Sequence, residues 1–345
     1  MTPSRPMAVD DKPSDQPYAR WQVVDDASGG RFVVLRVDGK DPAGHWVYRV
    51  VRDFTRPLDA QAYGSTAMDD ERLKRYELNY VVHKPHIKRS AGDVPESEIV
   101  YLVGSGPCLR KNWKHLLEVS RGVVVGVNRT PAVIPTGRMD YFFCIDYRIR
   151  GDHWKHGMPE TVGIFDVAAS TDVHLGKFKE MRWFLPATKS RFYDRAQSEF
   201  PHLVRLEHGL NVTFSALSWI VRVLKAKTIV LVGMDCAFPD SMKHFDEPLM
   251  FDAQEEYMVA RDVEGRAVVT SRVLLEIAEW HTAVFYFLRE AGIRVINATE
   301  GGLLSNFVEL RQLADVVEEL NAAAPSASED ADPAELAVGA GHSEK

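Results

Sequence analysis

From residue 98 onward, short runs of β-branched and aromatic residues alternate with helix-like stretches, and few folds satisfy that alternation. The runs at 99–103, 122–127, 141–145, 161–165, 182–184, 228–232 and 294–297 read as strands. Stretches 211–224 and 274–291 read as helices, the second stopping at Gly292, where a helix end favours glycine. This order predicts a mostly parallel sheet with helices on both faces, a Rossmann-like α/β fold.

Before that domain the text differs. Residues 1–19 are rich in Pro, Ser and Asp and read as disordered. Residues 20–95 read as a small β-rich module with a connecting helix. Its runs at 21–24, 31–37 and 45–51 are separated by glycine-containing turns, which predicts an antiparallel meander. A helix is expected over 69–82, followed by a basic connector at 83–89. The main α/β domain is assigned to 96–320 and closes with a short amphipathic helix after Leu310. An Ala-, Ser- and acid-rich tail, 321–345, has too little apolar surface to fold.

Composition narrows the class. A 345-residue chain with 45% hydrophobic residues can build a real core. No run approaches the roughly 18–20 apolar residues of a membrane span, and the polar N-terminus does not read as a signal peptide, so a cytoplasmic location is expected. Cys108, Cys144 and Cys236 are odd in number and far apart, which suggests buried reduced thiols rather than disulfides or a zinc site. The net charge is -7, of which the residues from 322 on supply -4. The remainder is nearly neutral, which argues against nucleic acid as a partner.

In sheets of this kind ligands bind beyond the carboxyl ends of the strands. After 99–103 come Gly104, Ser105, Gly106, Pro107, Cys108 and Leu109. A buried strand running into a Gly- and Pro-containing turn is a way of bringing backbone N–H groups to a phosphate, so a nucleotide is expected here. Pro107 and Leu109 break the G-x-G-x-x-G pattern, and no Gly-Lys-Ser/Thr follows, which disfavours a dehydrogenase or a Walker-type ATPase. Asn128, Arg129 and Thr130 follow the second run, Asp146 ends the third, and Gly233, Met234 and Asp235 follow 228–232. Each has a plainer explanation. The glycines could only make a tight turn, Asn128 and Asp235 could cap, and Asp146 could pair with Arg148 or Arg150. Four polar or Gly-rich strand ends together are better explained by a site. His208 precedes the turn into the 211–224 helix and is a candidate for proton transfer. His244 follows the Asp235 turn within reach of a ligand. His153, His156 and His281 read as core or surface residues. No histidine pair has metal-ligand spacing.

The turn at 104–109, Val127–Asn128, the run 139–146, Gly209–Thr213, the strand into Asp235 and the segment 300–307 occur in an order that resembles the MptE-like domain. That domain is shared by archaeal 6-hydroxymethylpterin diphosphokinases and the motility-associated factor (Maf) glycosyltransferases. The order is also similar to bacterial sialyltransferases that use a CMP-sugar. The resemblance runs from about residue 98 to 310. It implies that Gly104, Ser105, Gly106 and Pro107 cradle the donor nucleotide, that Asn128 meets its phosphate or ribose, and that Asn211, Thr213 and Ser215 line nucleotide and sugar. Asp146 stands where the sialyltransferases have an amide, as in Maf-type sequences. The sialyltransferases carry a histidine base before their penultimate helix, and 261–271 has none.

Two reactions follow. A glycosyltransferase would move a sugar from a nucleotide donor, such as a CMP-sugar, to a protein or glycan hydroxyl. Asp146, Asp235 or His208 would be the base, and Lys243 or Arg129 would steady the leaving phosphate. A diphosphokinase would pass diphosphate from ATP to a pterin alcohol with Mg²⁺ on Asp146 and Asp235. A non-catalytic nucleotide- or glycan-binding protein is the third reading. The aromatic segments 152–154 and 191–193 read as loops suited to a large acceptor, which favours sugar transfer. No tightly bound cofactor is expected, the nucleotide-sugar being a substrate, and a homo-oligomer is left open.

Overall fold

The computed structural model describes residues 70–323 apart from 136, 155, 189, 208–210, 246 and 250–255. It also describes, as backbone only, the three N-terminal strands. These strands, β1 (Trp21–Asp26), β2 (Arg31–Lys40) and β3 (Trp46–Phe54), form an antiparallel sheet in the order β1-β2-β3. Residues 1–19 and those beyond 323, including most of the expected acidic tail, lie outside the described residues.

The main domain opens with helix α1 (Asp70–His83) and is built on one nine-stranded sheet. In chain order its strands are β4 (Ile99–Val103), β5 (Val123–Val127), β6 (Tyr141–Cys144), β7 (Val162–Asp166), β8 (Glu180–Pro186) and β9 (Arg205–Leu206). Helices α2 (Leu109–Asn112) and α3 (Arg191–Glu199) lie among them. Helix α4 (Val212–Arg222) then carries the chain to β10 (Thr228–Val232). Two small hairpins follow: β11 (Met242–His244) with β12 (Glu247–Pro248), and β13 (Tyr257–Arg261) with β14 (Ala267–Ser271). Helix α5 (Arg272–Glu290), β15 (Arg294–Asn297), β16 (Glu309–Leu310) and α6 (Leu313–Ala322) complete the order.

Spatially the strands run β16-β15-β10-β4-β5-β6-β7-β8-β9, every pair parallel. Strands β4 to β9 are laid down outward in sequence. The chain then returns to the other side of β4 to place β10. The order therefore reverses between β4 and β10, the position at which such sheets leave a crevice for a ligand.

Alternation along each strand builds two cores. Tyr101, Val103, Phe142 and Cys144 face one side with residues of α1, α3 and α6. Val100, Leu102, Val125 and Phe143 face the other with residues of α4 and α5. At about 25 cal/mol per Å² of apolar surface removed from water, these layers are the main stabilising term. Side chains start the helices. Ser190 accepts from Phe192 N–H at α3, Asn211 from Thr213 and Phe214 N–H at α4, and Ser271 from Leu274 N–H at α5.

Two expected loops have another form. Residues 191–193 are the first turn of α3, with Phe192 and Tyr193 buried, because Ser190 caps a helix there. Trp154 is 1% exposed, its indole N–H donating to Asp172 O (2.9 Å). These aromatic rings serve the core rather than an acceptor surface. Among the described residues no helix is long and apolar enough to cross a membrane.

Candidate functional site

At the switch point the two turns that leave β4 and β10 are locked together. Gly104 N–H donates to Val232 O and Gly106 N–H to Gly233 O, both 2.8 Å, while Cys108 N–H donates to the Asp235 carboxylate (3.2 and 3.4 Å). The glycines are needed for this approach. A Cβ on Gly104 would lie 2.5 Å from Gly233 O, and one on Gly106 would run into the Asp235 carboxylate and lie 2.7 Å from Gly233 O. Leu109 N–H is also spent, on Gly106 O (3.2 Å), and Pro107 has no N–H. The N–H groups expected to cradle a phosphate are thus largely committed to joining the two turns.

Asp235 sits at the centre of that joint. It is 2% exposed, and its backbone carbonyl accepts from Leu303 N–H at 2.9 Å. Burial pushes its carboxyl up to about 6, against the Cys108 hydrogen bonds that favour the ionised form. The Cys108 thiol beside it is pushed up too, by burial first and then by Asp235, so it is no nucleophile.

A groove of about 450 Å³ is lined by Arg110, Trp113, Ala132, Val133 and Phe245. Its walls come from α2, the turn after β5 and the β11–β12 hairpin. Phe245 N–H donates to Ser105 O (3.4 Å), and His244 Nδ1 lies 3.5 Å from Ser105 Oγ. Arg129 is ion-paired to Glu247 through Nη1 and donates from Nε to His153 Nε2 at 3.0 Å. Glu247 is held below the usual carboxylate range, chiefly by its hydrogen bond to Arg129 and then by the charges of Arg129, His244 and Lys243. His244 is lowered by burial and by the nearby Arg129.

Asn128 occupies the left-handed region (φ 52°), and its N–H donates to Phe143 O at 3.4 Å. Its Oδ1 is buried and has no hydrogen-bond partner, which is costly for an acceptor unless something binds it. On the neighbouring strand end Asp146 is half-buried. Its Oδ1 accepts from Arg148 N–H (2.8 Å) and its backbone carbonyl from Ser170 N–H (3.0 Å). Asn128 and Asp146 thus follow the ends of adjacent strands, β5 and β6. Asp235 does not join them: β10 and β6 are three strand spacings apart, about 14 Å. Among the described residues no group of three His, Cys, Asp or Glu side chains is arranged to hold a metal.

The start of α4 is a closed network. Asn211 Oδ1 caps the helix, and Thr213 Oγ1 lies 2.6 Å from Asn211 Oδ1 and 3.0 Å from His281 Nε2. His281 Nδ1 donates to Ile277 O at 2.8 Å, and burial lowers the ring to about 4, so it is neutral and Nε2 accepts. Ser215 is fully buried on the same helix. His208, with Gly209 and Leu210, lies outside the described residues.

Several groups at the sheet's carboxyl end carry no local sequence signal. Arg110, Trp113 and Phe245 line the groove, and Glu247 reaches Arg129 across 118 positions of sequence. Asp166, the last residue of β7, was legible as a carboxylate ending a strand. It is 1% exposed and accepts from Tyr193 OH (3.0 Å) and Ala168 N–H (2.9 Å).

No family model matches the chain, and no curated protein matches it. Among solved structures, a Maf glycosyltransferase from Magnetospirillum magneticum AMB-1 is similar, at 15% sequence identity and a TM-score of 0.50. The match covers 75% of this chain and 44% of that one, so the chain spans less than half the length of the glycosyltransferase. That protein is of the Maf kind named in the expected resemblance. At this identity it establishes the fold: an α/β, Rossmann-like parallel sheet shared with a Maf glycosyltransferase.

Proposed function

We propose that this chain is a glycosyltransferase that binds a nucleotide-sugar at the carboxyl ends of β4 and β5 and transfers the sugar to a hydroxyl of a protein or glycan. The observation that carries the reading is the unpartnered, buried Oδ1 of Asn128 at the end of β5, next in sequence to the cation Arg129, with Lys243 in the same charge environment. An acceptor atom without a donor, next to cations, suits a nucleotide with a hydroxyl or amino group and a phosphate. The shared fold with a glycosyltransferase supports the same reading.

The roles follow from position. Asn128 accepts from the nucleotide, and Arg129 and Lys243 take up charge as the phosphate departs. Asp146, half-buried on the adjacent strand end, removes the acceptor's proton. The acceptor oxygen then bonds to the anomeric carbon while the carbon–phosphate-oxygen bond breaks, its electron pair leaving on the nucleotide. Asp235 is a positioning residue that holds the turn through Cys108. Ser105 and the two glycines shape the floor; Asn211, Thr213 and Ser215 brace the helix behind it. The diphosphokinase alternative asks Asp146 and Asp235 to share one Mg²⁺, whose ligands must stand about 2.1 Å from it. The Asp235 carboxylate is instead buried and accepts from Cys108 N–H, which counts against that reading.

The test is thermal unfolding with CMP, CDP, UDP, GDP and ATP, each with and without Mg²⁺. A nucleotide at 100 times its Kd adds about 2.7 kcal/mol of stability. Stabilisation by a nucleotide of the sugar-donor kind, with Asp146→Asn retaining it but losing sugar transfer, is the expected result. Stabilisation by ATP alone, and only with Mg²⁺, would overturn the proposal. Turnover unchanged in Asp146→Asn would remove Asp146 from the base position.

A further inference from the structure

The Arg129 side chain is 23% exposed and faces an anion of the protein's own. Glu247 places its carboxylate on Arg129 Nη1, within the field of Lys243 and His244. A carboxylate and a phosphate offer a guanidinium the same kind of oxygen pair, so each can take the other's place. The two sides of the pair are held unequally. Arg129 is anchored from behind by His153 Nε2 (3.0 Å) and follows directly on the sheet strand β5. Glu247 belongs to a two-residue strand paired, among the described residues, to β11, with a register irregularity between Met242 and His244. Two-stranded ribbons of this size are marginal on their own. The hairpin's bonds to the glycine turn, 3.4 and 3.5 Å, are long. Phe245 of the same hairpin is 3% exposed in the core, so the backbone stays, but the Glu247 side chain is 38% exposed and its carboxylate can turn to water while the guanidinium stays.

We propose that Glu247 is a built-in competitor for the phosphate site, occupying Arg129 in the unliganded chain and displaced when a nucleotide phosphate arrives. The adjacent Asn128 Oδ1 is a second, independent mark of a ligand at this place. The inference rests on the nucleotide-sugar reading for the identity of the anion and adds a gate to it. Phosphate binding turns the half-exposed Glu247 side chain off Arg129, with Phe245 staying buried in the core. The competitor sets the affinity. Where nine molecules in ten keep the pair closed, apparent affinity falls about tenfold below the intrinsic value.

Calorimetric titration of CMP, UDP and GDP, and of cytidine, uridine and guanosine, into the full chain, Glu247→Gln, Glu247→Asp and Arg129→Gln tests this. Glu247→Gln should bind the preferred nucleotide about tenfold more tightly than the unaltered chain, with no gain for the matching nucleoside, which lacks the phosphate. Glu247→Asp, which keeps the charge, should gain less, and Arg129→Gln should lose nucleotide affinity. Circular dichroism melts establish that each variant folds. Nucleotide binding that is unchanged or weaker in Glu247→Gln, while the unaltered chain binds, overturns the competitor and leaves the glycosyltransferase reading standing. An equal gain for nucleoside and nucleotide also overturns it. Absence of nucleotide binding by every protein in the set overturns both.

Discussion

Replacing Asp166 by Asn should stabilise the protein, and increasingly so as pH rises. Asp166 ends β7 and is 1% exposed, with both oxygens accepting hydrogen bonds, from Tyr193 OH and Ala168 N–H. Burial nonetheless dominates and pushes its carboxyl from the ordinary 3.8 up to about 7, against those bonds and the charge of Arg72. Between these two values the folded protein holds a proton that the unfolded chain has released. Stability is therefore fully present below about pH 3.8 and is lost as pH rises through 7. At 1.36 kcal/mol per pH unit the loss reaches roughly 4 kcal/mol on the alkaline side. An Asn keeps an acceptor for Ala168 N–H and offers Tyr193 an amide donor, and it carries no charge at any pH. The measurement is Tm for both proteins from pH 4 to 9. The gap should open in favour of Asp166→Asn between about pH 4 and 7 and level off above it. At about 2–4 °C per kcal/mol for a domain of this size, the plateau gap is on the order of 10 °C. Parallel curves, or a variant that loses ground as pH rises, would refute a buried carboxyl held neutral.

Gly106→Ala should cost about 1–3 kcal/mol in urea unfolding, because its new methyl meets the Asp235 carboxylate and Gly233 O. Pairing it with Asp235→Ala should cost less than the two single changes together, since the obstructing carboxylate is then gone; strict additivity would count against the clash. Asn211→Ala removes the cap of α4 and should lower stability by about 1 kcal/mol, seen as a Tm drop of a few degrees. An unchanged Tm would mean that the cap bonds are replaced by water.

Much of the fold was legible because its strands are nearly pure runs of β-branched and aromatic residues. β4, β10 and β15 begin and end where the runs at 99–103, 228–232 and 294–297 do. The three-stranded N-terminal meander and helix α1 were equally plain. Helix α3 was not, because only Phe192, Tyr193 and Ala196 of its nine residues are buried, and so short a stripe lacks a clear period. The β13–β14 hairpin was hidden because neither Tyr257–Arg261 nor Ala267–Ser271 alternates polar with apolar residues.

The sequence by itself determined a parallel α/β sheet and marked its strand ends, because period and composition are local properties that survive without a fold. Asn128, Asp146 and Asp235 were found that way. What each of them touches depends on segments that the fold brings together. Gly104 and Gly233 lie 129 positions apart, and their turns touch solely because β10 is inserted beside β4. That contact converts the expected phosphate cradle into a joint between turns and turns Asp235 inward to hold it. The same return of the chain brings Glu247 to Arg129. Which N–H groups are spent, and which acceptor is left over at Asn128, depends on contacts between distant segments, and no local pattern encodes those.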